Sequence, residues 1–333
     1  MRRRDLLKFG AAGVSAPLLA GTAWVPGAQA QGKYPDRPVR LIVPFPPGGA
    51  FDTIGRPWAE RIKPLLGTVM IENIGGAGGG VGAAQATRSQ PDGYTLLLGG
   101  ATTHITEALL KTKPTFDPVK DLEPISPIAY TAFAIAVHPS VPAKDLKEFV
   151  AYTKANPGKV SYGSAGHGSL NHLAGELLKI RAGLADMPHV PYRGAGPGLT
   201  DLLAGQIPAL VPAMTNIVLE HHRAGKLRIL AVTNARRLAA APEIPTAVEQ
   251  GYADLVAPNF IGVFAPAGTP RPIIDAVSAA NLKLLADKSY QELLISGTFE
   301  LEPLTSPAEY KSYVESELTR WRPIVTAMGI KID

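Results

Sequence analysis

From residue 37 onward, short apolar runs alternate with stretches whose apolar residues recur every three or four positions. That pattern predicts strands alternating with amphipathic helices. Residues 38–43 (Pro38, Val39, Arg40, Leu41, Ile42, Val43) predict a buried strand, and the prolines and glycines of 44–49 a tight loop. Ile54, Trp58, Ile62 and Leu65 then fall on one helical face, in which Pro57 is tolerable only in or near the first turn. A second strand over 68–73, a Gly/Ala loop over 75–80, a helix of small residues to about residue 89, a turn at Pro91-Asp92-Gly93 and a third strand over 94–98 follow. This order predicts a parallel α/β sheet.

The pattern restarts after Pro127 with an apolar run over 128–137, a helix over 143–156 and a strand over 159–163. Helices over 170–181 and 196–204 enclose a strand at 189–192, and short strands follow at 209–212 and 229–232. A last apolar segment, 260–264, leads into helices over 270–286 and 307–328. Two similar, mainly parallel sheet domains flanked by helices fit this order. They would be joined by extended crossings near 128–137 and 258–264, with the C-terminal helices returning to the first domain. The expected divisions are 31–134, 135–255 and 256–333.

Residues 1–30 read differently. A basic head (Arg2, Arg3, Arg4, Lys8), an apolar Gly/Ala-rich stretch and Ala28-Gln29-Ala30 predict a secretory signal cleaved near Ala30 rather than an anchor. Arg3-Arg4 followed by Leu6, Leu7 and Lys8 suggests the twin-arginine route, with an ordinary Sec signal as the alternative. Cleavage would remove four basic and one acidic residue, taking the formal charge from +5 to +2. The basic excess thus gives no support to nucleic-acid binding. With 46% hydrophobic and 18% charged residues the chain can bury a sizeable core, and no later apolar run is long enough to span a bilayer. No cysteine is present, which excludes disulfides, thiolate nucleophiles and cysteine-ligated metals.

Candidate chemistry concentrates in glycine-rich loops. Gly78-x-Gly80-x-x-Ala83 satisfies a relaxed dinucleotide fingerprint, but no acid stands at the end of the next strand, and no P-loop occurs. Small residues before a helix still let backbone N–H groups approach an anion. The loop over 162–169 repeats the arrangement, with Ser164 and Ser169 offering hydroxyls and Gly166 and Gly168 leaving amides open; Ser169 can equally be a plain helix cap. Asp52 either caps the helix after Gly48-Gly49 or faces a ligand. The seven histidines (His104, His138, His167, His172, His189, His221, His222) form no metal-binding motif, and no metal or cofactor is expected.

Tyr34-Pro35-x-Arg37-Pro38-Val39-Arg40-Leu41-Ile42-Val43-Pro44-Phe45-Pro46-Pro47-Gly48-Gly49-x-x-Asp52 resembles the opening of the tripartite tricarboxylate transporter receptors, the Bug-type solute-binding proteins. The resemblance continues through Glu72-Asn73, Pro91-Asp92-Gly93-Tyr94, Val190-Pro191-Tyr192-Arg193-Gly194, Asp201 to Gln206, and Ala265-Pro266-Ala267-Gly268-Thr269-Pro270. It implies a two-domain clamshell of the periplasmic-binding-protein kind that closes on a small carboxylate and delivers it to two integral-membrane permease subunits. It also implies a monomer working in the periplasm without nucleic acid. Carried onto this chain, the ligand shell is Phe45, Pro46, Gly48, Gly49, Asp52, Ala77 and Gly78, facing Ser164, Gly166 and Ser169. Phe51 stands where a smaller or polar residue would be expected. Two other readings are a periplasmic sensor with the same binding physics and a carboxylate-acting hydrolase using Ser164 with His172. The hydrolase lacks a nucleophile motif, a metal set and paired carboxylates.

Overall fold

The structure is a computed structural model that describes residues 34–301 and 303–332; the expected export signal and its cleavage point lie outside them. Strand β1 (Val39–Val43) has both faces covered. Leu41 and Val43 enter one apolar cluster and Ile42 the other, as the uninterrupted apolar run requires. Helix α1 (Ala50–Leu66) buries Ile54, Trp58 and Ile62, and Leu66 rather than Leu65 completes the face. Pro57 lies two turns inside it, not near the first turn. It denies the Thr53 carbonyl its helical donor, but both residues lie on the half-exposed face, where solvent can replace that donor.

Strands β2 (Val69–Asn73) and β3 (Thr95–Gly100) flank β1 in parallel. The 3-10 turn Ala77–Gly79 and helix α2 (Gly80–Thr87) join them. Helix α3 (Ala101–Ile105) and a π-helical turn (Thr106–Leu110) then lead to β4 (Leu122–Thr131). The second sheet is built from β5 (Ala134–Val137), β6 (Tyr162–Ser164), β7 (His189–Pro191), β8 (Ala209–Leu210) and β9 (Arg228–Val232). Its helices are α4 (Leu146–Ala155), α5 (Leu170–Ala182), α6 (Ala195–Leu203) and α7 (Asn216–Arg223). The chain returns through β10 (Asn259–Pro266) and ends in α8 (Arg271–Leu285), α9 (Lys288–Ser296) and α10 (Pro307–Met328).

The sheet orders are β2-β1-β3-β10-β4 and β7-β6-β8-β5-β9. In each, the fourth strand is the antiparallel one, and in each it is the strand that has just crossed from the other sheet. The two crossings are laced together: Thr233 N–H donates to Phe133 O at 2.9 Å, Phe133 N–H to Thr233 Oγ1 at 3.1 Å, and Ala257 N–H to Thr233 O at 2.8 Å.

Helix α10 was expected to return to the first sheet. It packs there, but Tyr310, Val314, Leu318, Trp321 and Val325 also share one continuous apolar cluster with Tyr162, Leu170, Leu173 and Val137 of the second. Behind the two sheets lies a common core.

Candidate functional site

In both sheets the loops that follow parallel strands emerge at one end, where ligands of open α/β sheets bind. Those after β1, β2, β3, β6 and β7 line one cleft of about 680 Å³. It is floored near the crossings by Phe133, Ala213 and Asn259.

The loop after β1 is shaped by Asp52. Gly48 N–H donates to Asp52 Oδ2 at 3.0 Å, Asn73 Nδ2 donates to Oδ1 at 3.0 Å and to Phe45 O, and Arg56 Nε donates to Oδ2 at 3.0 Å. Burial alone would raise this carboxyl, but the hydrogen bonds from Arg56, Gly48 and Asn73 outweigh it and hold its pKa below the ordinary value. Asp52 therefore neither caps α1 nor faces the cleft: the N-cap is Gly49, which offers no side chain. Asp52 is a brace that leaves the first N–H groups of α1 open.

The same arrangement recurs in the next loop. Gly79, at φ +95°, leads α2 without a side-chain cap, and a Cβ there would meet Phe45 Cζ and Thr103 Cγ2 at 2.9 Å. On the second sheet, Gly194 leads α6 uncapped, while Ser169 caps α5 by accepting from His172 N–H at 3.3 Å and donates to Gly166 O at 2.7 Å. Gly194 N–H donates to Ala165 O, which ties these two loops side by side. Four helix N-termini thus line one cavity, three of them led by glycine, and their N–H groups and dipoles favour an anion. Arg193, exposed at the start of α6, is the cation of the lining among the described residues.

The family model for the "Tripartite tricarboxylate transporter family receptor" matches residues 54–330. The chain belongs to that family. It is 33% identical over 323 residues to protein BugT of Bordetella pertussis, covering 96% of this chain and 95% of that one. Among solved structures, it resembles MatC from Rhodopseudomonas palustris with bound malate (TM-score 0.81, 29% identity, 88% of this chain and 100% of that one). A second R. palustris protein, with adipate, has TM-score 0.84 and 30% identity over 90% of this chain and 99% of that one. The family consists of solute-binding proteins, not enzymes.

Of the residues singled out in the sequence, Phe45, Pro46, Gly48, Gly49, Ala77, Gly78, Gly166 and Ser169 line the receptor's cleft; Asp52 and Ser164 do not. Ser164 is buried, with Oγ 2.7 Å from His189 Nε2 and receiving Gly166 N–H at 3.2 Å. It pins the turn from behind. It pairs with His189, not His172, and is closed to substrate, so the hydrolase arrangement does not form.

The sequence reading did not assign Tyr192, Gly194, Pro197, Asn171 or Asn259 to the ligand; Arg193, its candidate for a cation at the ligand, and Thr102, in a segment it took as able to reshape the pocket, also line the cleft. Gly194 before a helix carried the same signal as Gly49. It also left out the meeting of His167, His172 and His189, each of which brings one ring nitrogen within 4.8 Å of the others. These three are the metal-capable group among the described residues. Two are already engaged: His172 Nδ1 accepts Gly168 N–H at 3.2 Å and His189 is held by Ser164, the two rings stacking at 4.0 Å. Burial first, then the neighbouring imidazoles and Lys179, push His189 down to about 3. Burial, against the opposing pull of Glu176, pushes His172 down to about 4. Both rings are neutral near pH 7 and serve as packing beneath the loop.

Proposed function

We propose that this receptor is exported to the periplasm, captures a small carboxylate between its two lobes and delivers it to a permease of two integral-membrane subunits. The observation that carries the carboxylate reading is the convergence of glycine-led helix N-termini on a cleft whose lining, among the described residues, holds one arginine and no lysine. Fixed N–H dipoles can neutralise a carboxylate without a buried cation that would lack a partner in the empty cleft. The relatives solved with malate and adipate support the same ligand class. The lobes are the parts built around the two sheets, with divisions near residues 134 and 256. Ligand contacts are assigned to Gly48, Gly49, Ala77, Gly78, Gly166 and Ser169, with Phe45 and Pro46 as walls and Asp52 and Ser164 as supports.

A thermal-shift screen against mono-, di- and tricarboxylates, aromatic acids included, tests this. A ligand at 100 times its Kd stabilises by about 2.7 kcal/mol, a shift that is easily measured. Stabilisation by amines or sugars and by no acid would overturn the reading. Delivery is tested by uptake of the stabilising acid into cells, which should stop when either permease subunit is deleted.

A further inference from the structure

We propose that Asn259 and Thr102 hold the far end of the ligand, and that through them this receptor tells an acid with a second carboxylate from one whose far end is apolar. This rests on the carboxylate reading above. Asn259 opens β10, and Thr102 lies in α3 just after β3. Ile261 pairs with Gly100 in the antiparallel register of β10 and β3. Asn259, two residues before the one, and Thr102, two residues after the other, therefore stand at the same end of that ladder. Both line the cleft, and they are 3% and 4% exposed. Neither side chain has a hydrogen-bond partner among the described residues. Asn259 Oδ1 is completely enclosed, which leaves the NH2 as the end that meets the cleft. The reverse orientation would seal two N–H donors away from any partner in place of one carbonyl oxygen, at a greater cost. Neighbouring hydroxyl and amide donors are already engaged: Thr131, opposite Asn259 in β4, gives its hydroxyl to Met214 O at 2.8 Å, and Asn171 Nδ2 donates to Val211 O at 2.9 Å.

Largely buried donors are rarely left without an acceptor, so the acceptor comes from the cleft. Two separate donors match the two oxygens of a carboxylate, and hydrogen bonds to an ionised acceptor are the stronger kind. A carboxamide oxygen is single and uncharged, and a methyl group leaves both donors unmet. The lining holds no aspartate or glutamate among the described residues, so none of its side chains repels a second negative charge. Between the helix N-termini and this floor stand the rings of Phe45 and Phe51, in contact at 4.6 Å between centroids, with Phe133 beside them in the lining. An apolar body fits these walls. A site whose buried polar groups depend on the ligand discriminates against analogues that cannot satisfy them.

The test is calorimetry with matched far ends: adipate, its monoamide and hexanoate, and terephthalate, its monoamide and 4-methylbenzoate. In at least one series the diacid should bind about tenfold or more tightly than the methyl acid, with the monoamide between them. Asn259→Leu and Thr102→Val, each checked for an unchanged melting profile, should each reduce that preference severalfold while the methyl acid still binds. Equal binding of diacid and methyl acid, a monoamide that binds more tightly than its diacid, or a preference that survives in Asn259→Leu would overturn this inference alone. Binding of no acid in either series would overturn it together with the carboxylate reading. Should Asn259→Leu fail to fold, Asn259→Ala carries the same comparison.

Discussion

The imidazole of His104 is enclosed between Phe260 and Phe264, its Nδ1 2.9 Å from Gly100 O and its Nε2 buried without a partner. Burial pushes it down to about 4, against the weaker pull of the Gly100 carbonyl. A histidine depressed in the folded state is protonated first in the unfolded chain, so its stabilising contribution falls as pH drops from about 6.5 towards 4. His172 and His189 act in the same direction. Urea unfolding at pH 7.5 and 5.0 should show the native protein losing about 2 kcal/mol more than His104→Gln over that interval. Equal losses would mean that the ring is solvated. Asp52 has the opposite sign: held below its ordinary value, it stabilises above pH 4 and its contribution is lost only as pH falls below that. Asp52 was recognisable in the sequence as the notable carboxylate, but its role was not. Its partners are Arg56, one helical turn on, and Asn73, brought beside it only when β2 pairs with β1. The histidine trio escaped for the same reason, since His189 reaches His172 only through the pairing of β7 with β6.

Among the elements, those with a strong apolar stripe were legible. Helix α10 runs over the residues anticipated, started by Ser306 accepting Glu309 N–H with Pro307 in the first turn. Helices α7 and α9 were not foreseen because each buries only two side chains, Val218 and Leu219 in one, Tyr290 and Leu294 in the other. The turns of α3 and Thr106–Leu110 were missed because nearly every residue there is buried, polar ones included, so no period shows. The glycine that leads α1 carries a functional prediction. Gly49 has φ −81° and ψ 172°, open to any residue, and a Cβ would lie 3.7 Å from its nearest neighbour, Pro46 O. Serine, the better cap, is sterically allowed there. Gly49→Ser should leave urea stability unchanged or raise it by a few tenths of a kcal/mol, because its hydroxyl takes up the open N–H groups of α1. Those are the groups assigned to the ligand, so affinity should fall by about tenfold or more. Unchanged affinity with intact folding would remove the α1 terminus from the site. By contrast, Ser169→Ala deletes an existing cap and should lower stability by about 1 kcal/mol.

At the scale of the whole molecule, the question is how two sheets with a shared core can close on a ligand. The crossings at Phe133 and Ala257 are short, buried and locked to one another through Thr233, which suits a hinge that bends without coming apart. Yet α10 and α5 pack in one continuous cluster behind them, and Thr106 Oγ1 donates to Gly168 O at 2.5 Å, joining the first sheet's side to the loop that leads α5. Any closure would therefore have to combine bending at the crossings with sliding of α5 along α10 and the Thr106–Leu110 turn, and that packing would limit its amplitude. A ligand would gain from closure because the N–H groups of α1 and α2 belong to one sheet and those of α5 and α6 to the other, so drawing the two sets together would let one carboxylate ligand touch both. Small-angle scattering should show a smaller radius of gyration with a confirmed ligand than without. Thr106→Val, which removes the bond to Gly168 while keeping the shape, should enlarge the ligand-free radius and leave the liganded one unchanged. A radius that stays the same on saturation in both proteins would show that the cleft is already closed, and that the shared core holds the two sheets as one rigid body.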